Sequence, residues 1–118
     1  VAGGLAVGVR ITYNRVPTLG PRVAATLERG TQESGQRIAD RARDYTPPRV
    51  ATGAMMEGYR VAPAGRLRWR VFNTQDYHVF QELGTATISP HPMLIPAAAE
   101  EEHAYADRWA RDLRATLG

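Results

Sequence analysis

RLRWRVFN, residues 66–73, alternates basic positions with large apolar ones, and this period of two separates a mixed fold from a purely helical one. Leu67, Trp69 and Val71 would face a core, while Arg66, Arg68 and Arg70 line up outside. Upstream, Met55 to Ala62 reads as a second strand, joined to the first at Pro63-Ala64-Gly65, a connection of hairpin length. Further upstream, Leu5, Val7, Val9, Ile11 and Tyr13 alternate with Ala6, Gly8, Arg10 and Thr12, giving a third strand with one buried face.

The remaining segments have helical spacing. Pro17 and Gly20-Pro21 mark a start, and Leu19, Val23, Leu27, Ser34, Ile38, Ala42 and Tyr45 recur on one face, so a helix is expected from about Leu19 to Tyr45. Gly30 and Gly35 count against it, at roughly 1 kcal/mol each relative to alanine in a helix interior. Pro47 and Pro48 cannot continue it, and Thr46 to Gly53 reads as a mobile loop. Asp76 to Leu83 suggests a short helical turn, capped by Asp76 and ended by Gly84. Prolines 90, 92 and 96 keep the next part irregular. From Ala97 the spacing of Tyr105, Trp109, Leu113 and Leu117 predicts a closing helix, with Glu100 to Glu102 near its start and Arg108, Arg111 and Arg114 near its end, as the macrodipole favours. The expectation is one α+β domain over residues 1–118: a long helix in the N-terminal half and a C-terminal helix, packed on a small, mostly antiparallel sheet.

Composition bounds the chemistry. The chain has no cysteine, which removes disulfides, thiolate ligands and a cysteine nucleophile. No apolar run approaches the ~18 residues that cross a bilayer, and the first residues carry no basic segment ahead of their apolar part, so neither a membrane span nor a signal peptide is expected. The net charge of +3 permits contact with nucleic acid without demanding it. All 15 basic residues are arginine, which beside abundant alanine points to coding bias and not to a site.

Candidate sites are few. His78 and Glu82 stand four apart and would share a helix face, as a base and its orienting carboxylate would, but a solvated pair is the simpler reading. A metal site drawn from His78, Glu82, His91 and His103 would need ligands converging from three elements without the tight spacing of zinc motifs. Ser34 and Ser89 lack the Gly-x-Ser-x-Gly context of an activated nucleophile, and Gly3-Gly4 lacks the lysine of a phosphate loop. No catalytic, metal or cofactor residues are therefore assigned, and neither an enzyme nor a small-molecule substrate is expected. The row of Arg66, Arg68 and Arg70 could track a phosphate backbone or pair with a neighbouring subunit, with no aromatic expected on that face for base stacking. Met55-Met56 reads as adaptable core or interface packing.

One stretch, YHVFQELGTATISPHPMLIPA (residues 77–97), completes the pattern. The order strand, long helix, Thr52-Gly53, hairpin, then Tyr77, Phe80, Glu82, Gly84 and Thr85, then Pro92, Pro96 and Ala97 before a closing helix resembles the small neck or tail-completion proteins of long-tailed phages. These include a minor tail component family and, more distantly, the lambda minor tail protein Z group. The likeness spans nearly the whole chain in order of elements. Met55, Gly58, Leu83 and Met93 stand where that family more often has leucine, serine, an aromatic and an aromatic.

The resemblance implies a non-enzymatic virion protein, made in the host cytoplasm and placed at the head-to-tail junction or upper tail. It would act in a hexameric ring of identical subunits, with neighbouring neck and tail proteins above and below and DNA passing through. On that reading Tyr77 and Phe80 anchor the 77–97 segment to the sheet, Gly84 turns it, and the prolines hold an extended arm that docks on a neighbour. The expected interface residues are Met55, Met56, Tyr77, Phe80, Glu82, Gly84, Thr85, Met93 and Leu94, with Arg66, Arg68 and Arg70 facing the lumen, transiently touching DNA, or forming inter-subunit salt bridges. A tail terminator capping the tail tube, or a small basic nucleic-acid-binding protein, are the rival expectations.

Overall fold

Pro21, whose ring fixes φ and whose missing N–H would have no helical partner anyway, opens the longest element, α1 (Pro21–Tyr45). The structure, a computed structural model, describes residues 6–10, 20–46 and 53–117. Around α1 lie β1 (Ala6–Arg10), α2 (Gly53–Glu57), β2 (Tyr59–Gly65), β3 (Arg68–Asn73), α3 (His78–Leu83) and α4 (Leu94–Leu117). The fold is α+β: two long helices against a three-stranded antiparallel sheet in the order β1-β3-β2. The helix start expected at Leu19, the β1 positions Leu5 and Ile11 to Tyr13, and loop residues 47–52 lie outside the described residues.

The two long helices run antiparallel. Thr26 Oγ1 meets Thr116 Oγ1 at 2.7 Å at one end, and Tyr45 bonds Glu100 at the other. Between these ends Glu101, buried on α4, pairs with Arg41 at 3.0 Å and also with Arg108. The seam on α1 consists of small and polar residues, Thr26, Gly30, Thr31, Ser34, Gly35, Ala39 and Ala42, with Ile38 the one large apolar member. Gly30 and Gly35 are not weak points here but points of contact. A Cβ on Gly30 would lie 3.0 Å from the indole nitrogen of Trp109, and one on Gly35 would lie 3.0 Å from Val61. Small residues let α4 and the sheet approach α1 closely, at the cost of helix propensity.

Ile38, Ala39, Ala42, Tyr59, Val71, Leu94 and Ala97 form the core, with Val7, Val61 and Ala98 packed at its margin. Two expected strand boundaries are corrected. Met55 is fully buried within the helical turn α2, and the strand begins only at Tyr59. The hairpin turn is Arg66-Leu67, not Pro63-Ala64-Gly65, which still belongs to β2 and carries a register irregularity. Leu67 takes a positive φ of 55° with its side chain buried, a costly backbone state for a branched residue. Glu28 on α1 stabilises it by accepting the Leu67 N–H at 2.7 Å and the Trp69 indole N–H at 3.3 Å. As expected, Val71 faces the core while Arg68 and Arg70 are exposed on the other side.

Candidate functional site

Segment 77–95 is built around one carboxylate. Helix α4 starts at Leu94, and its first N–H groups have no partner within the helix. Glu82, on the short helix α3, supplies one: its oxygens accept from Met93 at 3.0 Å, Leu94 at 2.9 Å and Ile95 at 2.9 Å. A full negative charge at a helix N-terminus is also where the macrodipole favours it. His78, one turn back on α3, brings Nε2 to 3.4 Å from Glu82 and 3.1 Å from the Tyr59 hydroxyl, and its ring meets that of Tyr59 edge-on. Burial raises the pKa of Glu82, but the His78 bond and the three backbone N–H donors outweigh it, so the carboxyl is held below its ordinary value. Burial, reinforced by the nearby carboxylate, pushes the Tyr59 hydroxyl up to about 12.

The pair of His78 and Glu82 is thus not the solvated i,i+4 pair expected. Both side chains are buried, and the oxygens of Glu82 are occupied by N–H donors, which leaves no open position for a metal or a substrate proton. Their arrangement fastens α3 to the start of α4. Among the described residues, no three His, Asp or Glu side chains converge on a point that could hold a metal ion.

Gly84 follows with φ of 78°, and a Cβ there would come within 2.8 Å of Pro90 and 2.9 Å of the Ile88 carbonyl oxygen. The chain turns back on itself at this point: Thr85 N donates to the Ile88 carbonyl at 2.8 Å, Thr85 Oγ1 accepts from Ile88 N at 3.0 Å, and His91 N donates to Gln81 O at 2.7 Å. The proline-rich run is therefore a folded elbow clamped at both ends.

The elbow separates the proposed interface residues into two groups. Met55, Glu82, Met93 and Leu94 are interior and offer no surface to a neighbour, because the α4 cap and the core use them. Met56 and Tyr77 are half-buried, and Thr85 is exposed but engaged in its own turn. Phe80 does not anchor the segment to the sheet: it is 50% exposed, and Leu83, one turn further on, is 55% exposed. Ile88 and Ile95 are exposed too. Among the described residues, four of the six exposed large apolar side chains fall between positions 80 and 95. Leu83, Ile88 and Ile95 were not among the expected interface residues: Leu83 lies on a six-residue helix too short for a periodic signal, and Ile88 and Ile95 lie outside it, in the turn and at the start of α4.

A groove of about 480 Å³ lies beside β1, walled by Val7, Ile38, Ile95, Ala98, Tyr105 and Trp109. On the far side of the sheet none of the described helices packs. Arg68 and Arg70 lie there with Phe72, the ring expected to be missing, over which the Arg70 guanidinium sits at 5.6 Å. Arg66 belongs to the turn before the strand.

Comparison with family models, with curated proteins and with solved structures found no match to this chain.

Proposed function

We propose that this chain is a structural subunit of a long-tailed phage particle at the head-to-tail junction, a neck or tail-completion protein working in a ring of identical copies around the DNA path. The observation that carries the reading is the elbow: four large apolar side chains exposed on a segment that Glu82, Gly84 and the prolines hold in one shape. A loop serving a small-molecule site would turn its side chains into a concave pocket. This one presents Phe80, Leu83, Ile88 and Ile95 outward, as a surface that becomes buried on assembly would. A preformed docking surface loses little conformational entropy when it binds, which suits an interface repeated around a ring.

The order of elements and the Tyr77, Phe80, Glu82, Gly84, Thr85 and Pro92, Pro96, Ala97 pattern support placing that assembly in the phage neck. Glu82 gives the pattern a physical basis, since a carboxylate two residues before Gly84 is what caps α4 across the turn. The test is genetic and visual. Removing the gene from the phage that encodes it should leave filled heads and separate tails in infected cells, restored to joined particles by the wild-type chain. Normal joined particles without the protein would overturn the proposal.

A further inference from the structure

The register of the sheet gathers every strand arginine onto one set of facing positions. Arg10 of β1 stands opposite Arg68, Gly8 and Ala62 flank Arg70 from the two sides, and Ala6 and Arg60 flank Phe72. No Asp or Glu occurs in any of the three strands. The Arg68 side chain makes no ion pair or hydrogen bond with any described residue, and among the described residues the Arg70 guanidinium has only the Phe72 ring. The helices pack on the opposite face, where Val7, Val61 and Val71 lie.

We infer that this face, on which none of the described helices packs, binds single-stranded nucleic acid through its phosphate backbone. Three features favour that partner. Guanidinium groups two residues apart on a strand are separated by roughly 6.5 Å along it, a spacing suited to successive charges on an extended chain. Gly8 and Ala62 leave flat ground on both sides of Arg70, which a backbone can cross without obstruction. Phe72, at the end of the arginine row, offers a ring on which a base can stack once Arg70 turns to a phosphate. Among the described residues no helix or loop protrudes from the face to enter a duplex groove, so the described part of the face would meet a double strand only edge-on. The inference stands independently of the neck proposal.

The test is fluorescence anisotropy with a labelled oligothymidine of ~20 nucleotides at 50 and 200 mM salt, since three or four phosphate contacts on a single strand should weaken binding by roughly 20- to 50-fold over that range. Arg68→Gln with Arg70→Gln should abolish most of the affinity and flatten the salt dependence. Phe72→Leu should weaken binding by about tenfold at an unchanged salt slope. Arg111→Gln with Arg114→Gln, which removes the same charge from exposed positions on α4, should bind as the wild type does. The inference is overturned by no binding at 50 mM salt, by equal loss in the α4 control, by tighter binding to duplex of the same sequence, or by equal competition from polyglutamate.

Discussion

Glu82 shows how much one buried charge can organise. Its carboxylate serves three backbone donors and His78, so replacing it leaves several polar groups buried without partners at once. Glu82→Gln is expected to lower stability by about 3 kcal/mol, measured by urea unfolding at pH 7, because the amide turns two donors toward N–H groups that need acceptors. The pH dependence follows from the sign of the shift. A carboxyl held below its unfolded value of ~4.3 contributes stability that is fully present above that value and is lost as pH falls through the lower, folded one. The wild type should therefore lose stability more steeply than Glu82→Gln below about pH 4, and parallel curves would show that Glu82 carries no such linkage. The sequence placed His78 and Glu82 on one helix face correctly, but their burial was not legible. The partners of Glu82, at Met93 to Ile95, become neighbours only after the chain turns at Gly84.

Among the elements, α1 departs most from what periodicity suggests. A helix seam is ordinarily sought among large apolar residues, and Val23 and Leu27 fit that pattern. The buried face instead runs through Thr26, Gly30, Thr31, Ser34 and Gly35, because close approach of Trp109 and Val61 leaves no room for more. Gly35→Ala should therefore fail to gain the ~1 kcal/mol that alanine offers at an exposed helical position, and its melting temperature should fall instead of rise. A rise would mean that the sheet can shift to accept a methyl group. The same contrast explains the hairpin. A positive φ is usually sought at glycine, and Gly65 pointed to a turn one step too early. Leu67 adopts the turn conformation because its side chain is buried and Glu28, far away in sequence, takes its N–H. Likewise Met55-Met56 contributes to α2 and not to a strand, since five residues are too few for a period to decide and burial decides instead. The long helices, the antiparallel sheet and the outward arginines were legible because each rests on a pattern sustained along an element.

For the whole molecule, the apolar surface sits on a clamped elbow at one place and the arginine surface on the side of the sheet away from the described helices at another. Their effects can be separated by mutation. Phe80→Ser with Leu83→Ser removes exposed apolar area alone, so thermal stability should hold within about 0.5 kcal/mol while incorporation into particles is lost. Leu94→Ala empties a core position and should cost about 2–5 kcal/mol, so any assembly defect it produces comes with a lowered melting temperature. If the surface double variant joins heads to tails normally, the elbow is not the docking surface.

The most direct measurement is of place and number in purified particles: quantitative mass spectrometry of intact virions, followed by imaging with a label on the C-terminus. The account predicts a low, fixed copy number matching the ring symmetry, with label at the junction of head and tail. A protein abundant in infected cells and missing from particles would contradict it.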